Sequence, residues 1–171
     1  MKDLIDDAGY TWKDLVNIAT VVDRDIPDHR TRSLMKEHYK ILLVDDDPDV
    51  LISISEVLEY HDYQVVTARD GEEALEKFKS EKPDLMILDL LMPRMDGFAV
   101  CKELQDPSWS DYKNVPIVVL TVVAEGASRR RYQLETGQTL GVDDYLEKPI
   151  DMHVLLDRLE KVLKRREYRA V

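Results

Sequence analysis

This chain of 171 residues lacks several features that would place it in common protein classes. It has one cysteine, which excludes an internal disulfide framework and favours a reducing cytoplasm. No apolar run approaches the roughly 20 residues of a membrane span, so we expect no membrane insertion. The first ten residues, MKDLIDDAGY, have no apolar core, and we expect no secretory signal. Basic residues are also scarce: 24 Lys and Arg face 35 Asp and Glu, giving a net charge of −11, which argues against a nucleic-acid-binding body.

From residue 40 onward, short apolar runs alternate with amphipathic stretches. The runs have little polar alternation, which is typical of strands buried on both faces of a parallel sheet. They are Ile41–Val44, Val65–Val66, Leu85–Leu88, Ile117–Leu120 and a weaker run at Tyr145–Leu146. Polar residues follow three of them: Asp45, Asp89 and Thr121.

The stretches between these runs favour helices. Four aspartates precede apolar residues at helical spacing and are candidate N-caps: Asp47, Asp70, Asp96 and Asp151. Residues 128–134 predict a poorer fourth helix without a strong start. Five strands alternating with five helices predict an α/β domain with a doubly wound parallel sheet and right-handed crossovers.

Residues 1–38 do not follow this alternation. Thr11 is a candidate cap for a helix whose apolar stripe comprises Trp12, Leu15, Val16, Ala19 and Val22. We therefore expect two parts, a helical N-terminal extension (1–38) and an α/β domain (39–171). The stripe should pack on protein, either on the same chain or on a second copy in a homodimer.

The polar residues at strand ends indicate a site, because ligands of open α/β sheets bind beyond the carboxyl ends of the strands. If the strands are neighbours, Asp45, Asp46 and Asp89 converge, with Thr121 and Lys148 nearby. Clustered carboxylates repel one another, and a hard divalent cation such as Mg²⁺ relieves that repulsion. One carboxylate can then act as a nucleophile toward a phosphoryl group.

Four segments in order carry a resemblance to a known family: ILLVDDDP (41–48), LMILDLLMPRMDG (85–97), PIVVLT (116–121) and DDYLEKPI (143–150). With them, residues 39–166 resemble the receiver domain of two-component response regulators. The resemblance implies a flavodoxin-like sheet in the order 2-1-3-4-5 and a cis peptide bond between Lys148 and Pro149.

The resemblance also implies a role for each matching residue. Asp89 matches the phosphoacceptor, and Lys148 matches the lysine that contacts the phosphoryl group. Thr121 and Tyr145 match the switch pair. Asp45, Asp46, Asp89 and the backbone carbonyl of Leu91 match the residues that hold Mg²⁺, with Asp46 a direct ligand and Asp45 acting through water.

The implied function is signalling rather than enzymatic turnover. The donor would be a sensor histidine kinase or a phosphotransfer protein, and the output would be a downstream protein contacted through a switched surface. We expect a stand-alone module without a DNA-binding output domain, acting in the cytoplasm and not on nucleic acid.

The sequence departs from the family pattern around the site. Val122 replaces a very small residue and should narrow the entrance over Asp89, while Leu91 and Val123 cannot orient a hydrolytic water. The stretch from Thr121 to Lys148 is longer than the pattern, with the excess expected near residues 137–141.

Two other functions fit parts of this sequence. Asp45-x-Asp47 satisfies the minimal motif of haloacid-dehalogenase-type phosphohydrolases, which also use an aspartate nucleophile with Mg²⁺. The other is a receiver that has lost phosphorylation and serves as a constitutive scaffold. Val122 is compatible with this alternative, because it should narrow the entrance over Asp89.

Overall fold

The computed structural model describes the backbone of residues 39–169 and the side chains of residues 39–166. The helical pattern expected within residues 1–38, its apolar stripe and the boundary near His38 lie outside the described residues. No helix in the described part of the chain is long and apolar enough to cross a bilayer.

Strands and helices alternate along the described chain, as the apolar periodicity predicts. In order, the elements are β1 (Lys40–Val44), α1 (Pro48–Tyr60), β2 (Gln64–Ala68), α2 (Gly71–Glu81), β3 (Leu85–Leu88), α3 (Gly97–Glu103), a 3-10 helix (Pro107–Tyr112), β4 (Ile117–Thr121), α4 (Glu125–Thr136), β5 (Asp144–Glu147) and α5 (Met152–Arg169). The five strands are parallel and lie in the order β2-β1-β3-β4-β5, which confirms the expected topology.

The sheet is covered on both faces, because successive side chains of a strand point to opposite sides. In β1, Ile41 and Leu43 pack with α1 and α5, whereas Leu42 and Val44 pack with α2, α3 and α4. Cys101 of α3 is buried in the second layer, and burial raises the pKa of its thiol to about 12. Cys101 is thus a small residue of the core rather than a reactive thiol at the surface.

The predicted aspartate caps form. Asp47 accepts a hydrogen bond from the Asp49 amide, and Asp96 accepts one from the Ala99 amide at 2.8 Å. Asp151 accepts one from the His153 amide at 2.8 Å. Each of these bonds spans two or three residues, so neighbouring sequence is sufficient to predict them.

The 3-10 helix between α3 and β4 was not predicted. Asp106 caps it through the Ser108 amide at 2.9 Å, and Trp109 is buried beneath Lys79, whose ammonium lies 4.1 Å from the ring centroid. Asp106-Pro107 repeats the Asp-Pro start of α1, and that signal could have located this turn.

Helix α4 is longer than the predicted 128–134. It begins after Ala124, which offers no side-chain cap, and ends at Gly137, which adopts the left-handed conformation (φ 71°). Residues 137–143 form the loop that follows, before β5 begins at Asp144. The carbonyls of Thr139 and Leu140 anchor this loop by accepting hydrogen bonds from Gln105 and Arg129, respectively.

Candidate functional site

The strand order brings the predicted site residues to one edge of the sheet. Val44 and Leu88, the last residues of β1 and β3, are paired in register, and Asp45 and Asp89 follow them directly. The Asp89 amide donates to the Val44 carbonyl at 2.9 Å, which holds the two chain ends together. On the other side, the Lys148 amide donates to the Thr121 carbonyl at 2.8 Å and brings the end of β5 beside the end of β4.

Three carboxylates form an acidic pocket at this edge. Oxygen atoms of Asp45, Asp46 and Asp89 all lie within 4.8 Å of one another. Asp45 and Asp89 are buried, whereas Asp46 is exposed. Burial raises the pKa of Asp45 above its ordinary value, because a charged carboxylate loses solvation there. The pocket therefore disfavours its own negative charge and favours a bound cation.

Lys148 bridges the two buried carboxylates. Its Nζ lies 2.5 Å from Asp45 Oδ2 and 2.6 Å from Asp89 Oδ2. Burial alone would lower the pKa of Lys148, but the hydrogen bonds to Asp45 and Asp89 outweigh burial and raise it. The ammonium thus stays charged at neutral pH. The Lys148–Pro149 peptide bond is cis, as expected.

The second oxygen of each buried carboxylate accepts a backbone hydrogen bond. The Asp47 amide donates to Asp45 Oδ1, and the Leu91 amide donates to Asp89 Oδ1, both at 3.0 Å. These bonds fix the orientation of both side chains. They also place Leu91 directly beside the acidic pocket, where its carbonyl is the expected fourth protein ligand.

The pocket fits a hard divalent cation. Its side-chain donors are carboxylate oxygens, and neither sulfur nor imidazole belongs to the cluster found among residues 39–166. Such a donor set suits Mg²⁺ rather than a soft transition metal.

The two predicted switch residues lie on adjacent strands. Thr121 is fully buried, and its Oγ1 has no hydrogen-bond partner within the described chain. Tyr145 is also buried, and its hydroxyl donates to the Val123 carbonyl at 2.6 Å. Ser128 Oγ of α4 lies 2.6 Å from the same phenol oxygen, a contact that the sequence analysis missed.

The loop between β3 and α3 is attached to the turn before α2. Arg94 hydrogen-bonds to Asp70, and the Gly71 amide donates to the Met95 carbonyl at 3.0 Å. A Cβ on Gly71 would lie 2.7 Å from that carbonyl oxygen, so only glycine allows this approach. The sequence pattern indicated Asp70 only as a helix cap, and nothing near it in sequence indicated Arg94 as its second partner.

The remaining site predictions concern apolar residues near the entrance. Leu91 and Val122 are exposed, and Val123 is partly buried. Leu91 follows the end of β3 and Asp89, and Val122 and Val123 follow Thr121, the last residue of β4.

The phosphohydrolase alternative requires Asp47 to belong to the site together with Asp45, and the structure does not place it there. The Asp47 carboxylate caps α1 through the Asp49 amide and does not belong to the acidic pocket. The pocket instead joins residues that follow β1 and β3, as the receiver interpretation requires.

Comparisons with known proteins identify the class. Residues 41–160 match the response regulator receiver domain family, and the chain belongs to this family. It is therefore a signalling protein rather than an enzyme, and a receiver domain implies a histidine kinase as partner.

Individual relatives agree with this assignment. The chain is 41% identical over 126 residues to response regulator MprA of Mycobacterium ulcerans, covering 74% of this chain and 50% of that protein. It is 39% identical over 131 residues to the alkaline phosphatase synthesis transcriptional regulatory protein PhoP of Bacillus subtilis, covering 77% and 51%. The chain thus spans about half the length of the curated relatives it matches.

Solved receiver structures are similar to this fold. The BeF3-activated receiver domain of RstA from Klebsiella pneumoniae is 36% identical, with a TM-score of 0.59, covering 72% of this chain and 97% of that chain. A CheY-like receiver domain protein from Methanospirillum hungatei is 26% identical, with a TM-score of 0.66, covering 77% and 98%.

Proposed function

We propose that this receiver accepts a phosphoryl group on Asp89 from a histidine kinase or a phosphotransfer protein. The observation that carries the proposal is the contact of Lys148 with Asp89 inside an acidic pocket. This arrangement supplies a carboxylate nucleophile with a fixed cation beside it. The proposed location is the cytoplasm, since a kinase that regenerates the donor needs ATP.

The transfer is an exchange of one phosphorus bond for another. An Asp89 oxygen attacks the phosphorus of the donor phosphohistidine, the new P–O bond forms, and the P–N bond breaks. The leaving imidazole keeps the electron pair of the broken bond and takes a proton from solvent. Lys148 lies where it can stabilise the phosphoryl oxygens of the resulting acyl phosphate by charge and hydrogen bonding.

Mg²⁺ is the cofactor that we propose for this step. The residues that would hold it are the carboxylates of Asp46 and Asp89, the carbonyl of Leu91 and, through a water, the carboxylate of Asp45. When bound, the metal neutralises charge on the phosphoryl oxygens and the carboxylates. Asp45 and Asp46 would then hold the metal, while Lys148 would contact the phosphoryl group.

The output follows from Thr121 and Tyr145. We propose that the Thr121 hydroxyl turns toward the phosphoryl oxygens, since it has no hydrogen-bond partner within the described chain to give up. Tyr145 would respond on the neighbouring strand and change the surface formed by α4, β5 and α5. The partner read by this surface would be a protein, either a downstream target or a second copy of this chain, and not nucleic acid.

Phosphorylation with a small-molecule donor tests the proposal. Acetyl phosphate with Mg²⁺ should add one phosphoryl group to the purified chain, detected by intact-protein mass spectrometry. Asp89→Asn should abolish the addition, and Asp45→Ala or Asp46→Ala should weaken Mg²⁺ binding. Asp47→Asn is the matched control, because it keeps the helix cap and lies outside the pocket. Undiminished labelling of Asp89→Asn would refute the assignment.

A further inference from the structure

We infer that Ser128 is the positioning residue that connects Tyr145 to helix α4. This inference rests on the proposed switch through Thr121 and Tyr145, and it adds the residue by which α4 senses that switch. Neither the family match nor the sequence pattern assigns a role to Ser128.

The direction of the hydrogen bonds follows from the number of protons. The phenol of Tyr145 has one proton, and it is directed to the Val123 carbonyl, which can only accept. Ser128 Oγ lies 2.6 Å from the same phenol oxygen, so the Ser128 hydroxyl must donate to it. Tyr145 is thus held by a donor from α4 and by an acceptor from the loop that follows β4.

Both hydrogen bonds are shielded from water. Ser128 is fully buried, and Tyr145 is 8% exposed. In such surroundings a hydrogen bond is stronger than at the surface, and losing one partner leaves the other group unsatisfied. The Ser128–Tyr145 contact therefore favours the inward position of the ring over any position in which the hydroxyl leaves α4.

Helix α4 has few other buried attachments. Its start at Ala124 lacks a side-chain cap, and its buried residues are Ser128 and Tyr132. The remaining polar attachments are exposed or only partly buried, so solvent screens them more than it screens the Ser128 bond. They are the bonds from Glu125 N to Glu147, from Arg129 to Leu140 O and from Arg131 to Asp96. Ser128 therefore supplies the buried polar link between α4 and β5.

The contacts form a continuous path from the acidic pocket. Thr121 ends β4, and Val123, two residues later, accepts the Tyr145 proton. A shift of this backbone changes the position available to the phenol, and Ser128 transmits that change to α4. Ser128 thus couples two arrangements of α4 to two positions of the Tyr145 ring. A change at the site acts by shifting the populations of these coupled states.

The test measures the position of the ring directly. A 3-fluorotyrosine placed at position 145 of the full chain reports inward and outward rings as separate fluorine resonances. Ser128→Ala should lower the inward-to-outward ratio about fivefold. This factor corresponds to the loss of one hydrogen bond of about 1 kcal/mol. Ser128→Thr keeps the hydroxyl and should restore the ratio. Thr136→Val is the control. It removes a hydroxyl of the same helix that donates to the Tyr132 carbonyl, and it should leave the ring ratio of Tyr145 unchanged. An unchanged ratio in Ser128→Ala would overturn the inference.

A second measurement approaches the same bond from the other end. Tyr145→Phe removes the phenol oxygen and should speed amide hydrogen exchange in α4 as much as Ser128→Ala does. The double variant should be no faster than either single one, because both remove one interaction. Unchanged exchange of α4 in Tyr145→Phe would overturn the inference even if Ser128→Ala fails to fold.

The outcome is separable from that of the proposed function. Acetyl phosphate should still label Asp89 in Ser128→Ala. If Asp89 is still labelled, but Ser128→Ala changes neither the ring ratio of Tyr145 nor amide exchange in α4, only this inference is contradicted. Wild-type protein that is never labelled contradicts the proposed function, whereas the ring ratio can be measured without phosphorylation.

Discussion

Arg94 donates hydrogen bonds from Nε and Nη2 to a single carboxylate oxygen of Asp70. The other oxygen of Asp70 caps α2 through the Glu73 amide at 2.9 Å. Arg94 adopts the left-handed conformation (φ 65°), which non-glycine residues rarely adopt. One aspartate therefore joins a helix start to the loop that carries Leu91.

We predict that this attachment supports Mg²⁺ binding. Arg94→Gly removes the ion pair and tolerates the left-handed backbone, so the loop should stay folded but become less fixed. Mg²⁺ affinity, measured by calorimetry, should fall about tenfold, as is common when a residue that orients a metal ligand is lost. Lys82→Gly is the control, since Lys82 is also left-handed (φ 50°) but lies at the end of α2. Equal affinities in the two variants would contradict the prediction.

The same aspartate should contribute to stability in a pH-dependent way. The hydrogen bond from the Glu73 amide, followed by that from Arg94, holds the pKa of Asp70 below its usual range. Its contribution is complete above the unfolded pKa of about 3.9 and is lost as pH falls through the lower folded value. Asp70→Asn keeps a capping oxygen but does not ionise. Urea unfolding should therefore show a steeper loss of stability below about pH 4 in wild type than in Asp70→Asn. Parallel pH profiles would exclude this role.

Lys148 should stabilise the acidic pocket as well as the phosphoryl group. Lys148→Met leaves Asp45 and Asp89 without their shared cation, and the free energy of unfolding should drop by about 1–3 kcal/mol. Excess Mg²⁺ should restore part of the loss if it binds the folded pocket as proposed. Lys161→Met removes only an exposed bridge to Asp157 and should cost less than about 0.5 kcal/mol. A loss in Lys148→Met that Mg²⁺ cannot reduce would count against the metal site.

The phosphoryl group should be long-lived. Hydrolysis needs a water in line with the phosphorus, and neither Leu91 nor Val123 offers it a hydrogen bond. The double variant Leu91→Asn, Val123→Glu should decay faster, by about tenfold for each polar contact of about 1.4 kcal/mol. Decay of purified phosphoprotein measures this directly. Faster decay of wild type than of the double variant would show that water exclusion is not the reason.

Features that depend on neighbouring residues were predictable from the sequence. Asp47, Asp96 and Asp151 cap their helices through amides two or three residues away, and the apolar runs became strands. The polar residues at strand ends could be placed at one edge because parallel strands share their direction. The family resemblance then added the strand order, which the structure confirms.

Other features join residues that are distant in sequence. Arg94 and Asp70 are 24 positions apart, and Ser128 and Tyr145 are 17 apart. Nothing near Ser128 in sequence indicates that its hydroxyl forms a hydrogen bond with a phenol, because this bond depends on how α4 packs against β5. The bounds of α4 were missed for a different, local reason, since Ala124 supplies no capping signal.

The sequence by itself determined which residues begin α1, α2, α3 and α5, which runs become strands and which polar side chains follow the strands. Those outcomes depend on hydrogen bonds and side-chain alternation within a few residues. Only the tertiary structure decided that Lys148 bridges Asp45 and Asp89 and that Ser128 holds Tyr145. Such contacts form when packing of the apolar faces of the helices and sheet sets the distance between segments, and local sequence does not specify that distance.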